Sequence, residues 1–423
     1  MPRWPVRRTM TNDNKPSTMT AVHHRFRRIS ACLIGTVFLF AGLFKLLDPV
    51  GAGLVVEEYY KFLHLGFLLP TAEAVAVGLA LLEALTGAML ISGIWRKVAA
   101  LIASVLIVAF TVLTFFLAVF NPPMDCGCFG EVLHLSNLAT FLKNLVLLAL
   151  AAFAFLPFRD FGRNKTRKYV SFALAAAGIL FLTVRSLSTL PLVDYTAFSP
   201  GAELYASIDN PVDVSNAYES TFVYERNGQQ GVFTLDHLPD STWTFVRTET
   251  VPKREVKNPE VPMLSFTDFT GAYQDELATQ EDVLTLSVYE PARMRGDAWT
   301  KLADVLDHAA AAGFKPLLLV AGTPAGMDSL AVIVPEAKER LSKRMYFADR
   351  KMLVTLNRSN GGATWFNDGQ LITKYAFSQL PAADELLAMS GEDANEVLLN
   401  DSSHGRIRLD ALLLYVFAIL WLL

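Results

Sequence analysis

Five stretches of about twenty apolar residues, enough to cross some 30 Å of hydrocarbon as helices, crowd into the first 190 positions: 29–47, 70–94, 98–120, 132–156 and 169–187. No soluble fold needs so many, because a backbone placed in lipid must satisfy its own hydrogen bonds and does so as a helix. The mean hydropathy of +0.34 and the 52% apolar content are therefore not spread evenly. They are concentrated in these spans and in the last fifteen residues, while 191–404 has an ordinary globular composition.

Lysine and arginine set the orientation. The stretch 1–28 is a basic N-terminus, with Arg3, Arg7, Arg8, Lys15, Arg25, Arg27 and Arg28 against Asp13. Arg96-Lys97 and the group Arg159, Arg163, Lys165, Arg167 and Lys168 fall on the same side after alternate crossings. The intervening loops, 48–69 and 121–131, hold one lysine and several acids. The expected topology has a cytoplasmic N-terminus, and an odd number of spans delivers 191–404 to the outside of a bacterial inner membrane. The first span lacks a small-residue cleavage site and ends at Lys45 and Asp48-Pro49, so it reads as uncleaved. Met19 is an alternative start. The loop 51–67 mixes aromatics with Glu57, Glu58 and Lys61, as a short helix on the outer interface or a cap on the bundle would. The apolar stretch 409–423 reaches only about 22 Å as a helix and reads as a membrane-embedded segment.

Net charge of −4 and the absence of a basic, aromatic-interleaved stripe exclude nucleic acid as a partner. The partners implied are the lipid bilayer and proteins of the envelope. Three cysteines cannot build a disulfide framework. Cys126 and Cys128 occupy one outer turn, Asn121-Pro-Pro-Met-Asp-Cys-Gly-Cys-Phe-Gly130. A bridge between thiols one residue apart is strained, hence oxidising, and closes too short a loop to reinforce the fold. Redox exchange, a merely structural turn and a metal site of Cys126, Cys128, Asp125 and His134 all remain open. The metal reading lacks a second cysteine pair. Cys32, inside the first span, reads as an inert buried thiol. Glu83 in the second span and Lys143 in the fourth lie at similar depth, and ionisable groups there imply function by default. They are expected to pair, unless the fourth helix starts late at Ser136 and lets Lys143 snorkel outward.

The first four spans, the expected domain 29–157, resemble the DoxX/MauE family of four-helix membrane proteins over roughly residues 27–157. The resemblance is carried by Gly42-Leu-Phe-Lys45 with Asp48-Pro49, by Glu83, by Asp125-Cys-Gly-Cys-Phe-Gly130 and by Lys143-Asn144. The Cys-Gly-Cys turn points to the MauE branch, associated with methylamine utilisation and maturation of a disulfide-rich subunit. The resemblance implies catalytic Cys126 and Cys128 and intramembrane Lys45, Glu83, Lys143 and Asn144. A quinone in the bilayer is a conceivable electron acceptor, although no residue marks a site for it.

Behind the fifth helix, 169–188, a β-rich segment (191–260) contains a hairpin over 222–235 turning at Asn227-Gly228. From 282 onward, strands at 282–289, 314–321, 345–347, 362–366 and 371–376 alternate with helices at 297–312, 327–342 and 381–389. That order predicts a largely parallel sheet. The segment 261–390 resembles a thioredoxin-like domain, with Gly361 where such proteins carry a cis-proline. The stretch where a Cys-x-x-Cys belongs reads Glu290-Pro-Ala-Arg-Met-Arg-Gly296, and no cysteine follows Cys128. The expected whole is an α-helical transmembrane bundle plus a redox-inactive α/β extracytoplasmic domain. It serves as a membrane accessory of thiol–disulfide exchange. The alternatives are a non-enzymatic scaffold and, with so few polar residues in the spans, less fittingly a channel.

Overall fold

The computed structural model describes residues 18–122, 127–128, 135–156, 166–204, 218–226, 229–234, 243–252, 262–323 and 335–422. The chain divides into two compact units, Met1–Ser188 with Asp410–Leu423, and Thr189–Leu409.

In the first unit, helices α1 (Thr18–Leu47), α2 (Pro49–Phe62), α3 (Ala72–Ser92), α4 (Arg96–Phe120), α5 (Asn137–Phe155) and α6 (Thr166–Ser188) follow in order. A 3-10 turn over Gly66–Thr71 leads into α3. Five of these segments are long and apolar enough to cross a membrane: Arg25–Leu47, Gly66–Ser92, Arg96–Phe120, Asn137–Phe155 and Lys168–Ser188. The fourth begins later than the apolar run suggested. Ser136 caps α5 by accepting a hydrogen bond from the Ala139 amide, which satisfies one of the orphan donors at a helix start. Asp48 caps α2 in the same way, accepting from the Gly51 amide.

Helices α1 and α3 approach closely, and glycine makes the contact. A Cβ added at Gly42 would stand 2.5 Å from both the Ala80 carbonyl oxygen and the Ala84 amide nitrogen. One added at Gly87 would meet the Gly35 carbonyl oxygen and the Leu39 amide at 2.5 Å. Small residues at helical spacing let two backbones approach where lipid supplies no hydrophobic drive between helices. Around this crossing Ile34, Phe38, Met89, Ile94, Ala103 and Ile107 form a buried core. Val105, Val112, Val119 and Phe120 of α4 stay exposed on a surface suited to lipid. The expected helix at 409–423 is the end of a longer one, α11 (Ala394–Leu422). Its Tyr415 hydroxyl lies where a Cβ on Gly178 of α6 would come within 2.7 Å.

The second unit holds two sheets. Strands β1 (Tyr218–Arg226), β2 (Gln229–Thr234) and β3 (Thr244–Pro252) form an antiparallel sheet in the order β2-β1-β3. Strands β1 and β2 pair in the expected antiparallel sense up to Arg226↔Gln229, and the expected turn residues, Asn227 and Gly228, lie outside the described residues. The larger sheet has six strands, β4 (Phe266–Thr267), β5 (Val283–Val288), β6 (Lys315–Ala321), β7 (Met345–Ala348), β8 (Gly362–Asn367) and β9 (Gln370–Tyr375), ordered β4-β7-β6-β5-β8-β9. Only β5, β6 and β7 run parallel, and the other pairings are antiparallel, so the sheet is mixed rather than largely parallel. Helices α7 (Gly296–Ala311), α8 (Pro335–Ser342), α9 (Arg350–Leu356) and α10 (Ala383–Met389) accompany it.

Strand β5 is buried at every position, as a strand covered on both faces must be. Leu284, Leu286 and Val288 pack with Trp299, Leu302 and Leu306 of α7 and with Leu386 of α10. Helix α9 contributes a separate buried set, Leu353, Val354 and Leu356, and also contacts β5 and β6. The sequence reading passed over α9. The segment 194–204 adds to the β9 edge through Gly201 N–H to Leu371 O (2.7 Å) and a Lys374–Asp194 ion pair at 2.6 Å. This is an α/β unit.

Candidate functional site

The α1–α3 crossing determines what Lys45 can reach. Gly42 brings the two backbones together, and one turn later the Lys45 ammonium lies against the Glu83 carboxylate. Lys45 Nζ donates to both oxygens, at 2.9 and 2.7 Å. The side chains are 12% and 3% exposed, so the pair is buried. Lys45 also sits 5.7 Å from the centroid of the Phe110 ring. Glu83 therefore pairs with Lys45, not with Lys143 as depth counting suggested. Because α5 starts at Asn137, Lys143 stands only about 9 Å along it.

Lys143 nevertheless belongs to the same place. A cavity of about 120 Å³ opens among α1 to α5, lined by Lys45, Glu83, Lys143, Asn144 and otherwise mostly apolar side chains such as Phe38, Ala76 and Leu147. Asn144 is buried and donates to Thr114 Oγ1 at 3.1 Å, which fixes the rotation of α5 against α4. A second α4–α5 tie runs from Asn137 Nδ2 to Asn121 Oδ1 at 3.1 Å.

The cysteine turn comes to this cavity. Gly127 and Cys128 form part of the lining, and Cys128 is half-buried. Gly127 adopts φ +61°, and an added Cβ there would collide with the Val55 side chain of α2. Glycine is thus required twice over, for its backbone conformation and for the close approach. Cys126, Asp125 and His134 lie outside the described residues. Among the described residues no cluster of metal-ligating side chains occurs. Cys32 is half-buried and shares a groove with Arg25 and Arg28, so it is not the enclosed thiol expected.

Sequence reasoning missed the wall that α2 supplies. Ala52, Val55, Val56 and Tyr59 all line the cavity. The signal was present in Gly51-Ala-Gly53, small residues that let α2 sink onto α3, where a Cβ at Gly53 would meet Glu73 Cα at 3.1 Å.

In the α/β unit, the stretch Glu290–Gly296 does lie against the Gly361 loop. Glu290 N–H donates to Asn360 Oδ1 and Asn360 Nδ2 donates to Glu290 O, both at 3.0 Å. A Cβ on Gly361, at φ +82°, would stand 2.9 Å from Phe377 Cδ2 and 3.0 Å from Met294 Cε. The Glu290 carboxylate pairs with Arg293 and Arg350, each at 2.8 Å. The stretch holds methionine and arginine and no cysteine, so it has no thiol with which to exchange disulfides.

Residues 23–157, the segment that builds the cavity, match the family model of the methylamine utilisation protein MauE. Residues 218–255, the three-stranded sheet, match a domain of unknown function, DUF8463. No curated protein and no solved structure matches the chain. Over residues 23–157 the chain is similar to MauE, and its apolar helices support a multi-pass membrane protein.

Proposed function

We propose that this protein is a membrane accessory for thiol–disulfide maturation of envelope proteins, with Cys126 and Cys128 as the exchanging pair. The observation that carries the reading is the position of Cys128 on the wall of a cavity that also holds Lys45, Glu83 and Lys143. The form that attacks a disulfide is the thiolate, and Lys143 supplies a cation on the same lining beside the Lys45–Glu83 pair. In the forward direction a client dithiol attacks the Cys126–Cys128 bridge. The client gains a disulfide, the turn becomes a dithiol, and no electron is left over. The MauE match of the bundle supports this role, since the MauE branch is associated with methylamine utilisation and maturation of a disulfide-rich subunit. In this reading 191–404 lies on the outer face of the inner membrane with the cysteine turn. Its thioredoxin-like part, lacking cysteine, binds clients without redox chemistry.

A scaffold without exchange chemistry is the second reading, favoured by the substitution of the Cys-x-x-Cys stretch by Glu290–Gly296. Alkylation trapping separates the two. Under exchange, maleimide modification of Cys126 and Cys128 in membranes varies with the applied thiol–disulfide potential, and replacing one by serine traps a client on the other. If modification of both cysteines is independent of potential, the scaffold reading replaces this one.

A further inference from the structure

We infer that the cavity between α1 and α5 is the binding site for a lipid-soluble quinone that reoxidises the cysteine pair. The inference rests on the exchange reading, which returns a dithiol to the turn after every client and therefore needs an acceptor for two electrons.

Three features of the cavity select the chemistry of that acceptor. The first is size: about 120 Å³ suits a single six-membered ring, since a cavity of roughly 150 Å³ lined by apolar side chains binds benzene. The second is the lining, mostly apolar and contributed by helices of membrane-crossing length, which suits a ligand dissolved in hydrocarbon and excludes a charged, water-soluble carrier. The third is the placement of the polar groups. The Lys45 ammonium, held by the Glu83 carboxylate, is a donor for a carbonyl oxygen on which negative charge develops. Cys128 is on the same wall system, and Lys143 is a second cation there. A ring in this space therefore has a hydrogen-bond donor and a thiol within one enclosure.

The step balances without another reagent. The thiols of Cys126 and Cys128 lose two electrons and two protons and form one S–S bond. The quinone takes up two electrons and two protons, and its carbonyls become the hydroxyls of the hydroquinone. Lys45 is a positioning residue here, holding the carbonyl and stabilising the oxyanion. Glu83 holds Lys45.

The test uses the full-length chain in phospholipid nanodiscs without oxygen, with decylubiquinone as the probe. Adding it to reduced protein is expected to yield one quinol for every two thiols lost. The Lys45→Met/Glu83→Gln double variant, which removes both charges together, is expected to slow quinol formation about a hundredfold, as loss of an oxyanion donor does. Binding is read separately in the Cys126→Ser/Cys128→Ser variant with a photoreactive azidoquinone. Its label is expected on α1 or α3 and is expected to disappear when Ala76→Leu fills the cavity in protein that keeps its elution volume. The inference is overturned if the azidoquinone labels neither helix, or if Ala76→Leu leaves the label in place. It is also overturned if oxidised wild-type protein exchanges with dithiothreitol but the reduced protein yields no quinol. Failure of the dithiothreitol exchange itself, with labelling intact, overturns the exchange reading and leaves a quinone site.

Discussion

The Lys45–Glu83 pair makes a quantitative prediction. At 2.7 Å two unit charges attract by about 6 kcal/mol at an effective permittivity of roughly 20, and desolvation of the two ions offsets most of that. The pair as a whole therefore adds little stability, whereas removing one partner strands the other. Lys45→Met leaves both oxygens of a carboxylate that is almost inaccessible without their ammonium, at a cost of about 3–5 kcal/mol. The reference state in a micelle also finds polar partners, so the lower end applies, about 3 kcal/mol. Glu83→Gln leaves an ammonium that faces the Phe110 ring and stands two residues from the end of α1, and costs about 1–2 kcal/mol. The double variant Lys45→Met/Glu83→Gln removes both charges and leaves only a buried amide, at a cost of about 1–2 kcal/mol. The coupling, the double minus the sum of the singles, is then about −3 kcal/mol. Reversible unfolding of the full chain in dodecylmaltoside with increasing dodecyl sulfate, followed by circular dichroism, measures all three. A coupling near zero, with Lys45→Met costing below about 1 kcal/mol, refutes the argument that Lys45 is what stabilises a charged Glu83.

Gly42→Ala improves helix propensity by up to about 1 kcal/mol, but it sets a methyl against two backbone atoms at 2.5 Å, so a net loss of about 1–2 kcal/mol is expected in the same unfolding assay. Gly361→Ala imposes strain at φ +82° and crowds Phe377, and costs about 1–3 kcal/mol, read as faster hydrogen exchange of β8 amides in the full chain. Asn357 is fully buried, donating to Ala363 O at 2.9 Å and accepting from Ser359 N at 3.0 Å; Asn357→Leu strands these groups and costs about 2–3 kcal/mol by the same exchange measurement. Burial would raise the Asp307 carboxyl, but hydrogen bonds from Arg344 and Arg340 outweigh it and hold the group below the ordinary carboxylate range. Its contribution is accordingly present above the unfolded value near pH 4 and is lost as pH falls through the lower folded value, so the thermal stabilities of wild type and Asp307→Asn are expected to converge on acidification below about pH 4.

What the sequence shows of this molecule is what periodicity and composition control. The five spans appear as uninterrupted apolar runs, and the β5 to β9 elements as alternations of strand-length and helix-length patterns. The spans and the β5 to β9 strands lie close to their expected positions because hydrophobic burial acts on every residue of the run, whereas of the helix expected over 327–342 the described part is Pro335–Ser342. The hairpin around 227–228 is equally legible, since Asn-Gly fits the turn that the twist of two strands demands. The partner of Glu83 is not. Counting residues inward from the two outer loops places Lys143 at its depth. The actual partner follows from the register in which Gly42 meets Ala80 and Ala84, a long-range packing choice with no local signature. Helix α9 has only seven residues, too short for its period to stand out, although Asp349 caps it by accepting from the Met352 amide. Of the cavity, the sequence names the charged residues and Cys128; it offers 51–67 as an interfacial helix or a cap, and nothing local shows that its small residues bring α2 onto α3 as a wall.

The glycine crossing of α1 and α3 also constrains how the chain is made. Lys45 leaves the ribosome 38 residues ahead of Glu83, so α1 reaches the membrane before its counter-ion exists. A lone charge at a helix centre adds about 3 kcal/mol to insertion, but Lys45 stands two residues from the helix end and its long stem can hold the ammonium at the interface. Glu83, well within α3, has no such refuge. Its counter-ion is the lysine already waiting in the bilayer. Synthesis in that order makes the first helix the receptor for the third, and a chain with the two charges exchanged between these positions would present the less forgiving group first.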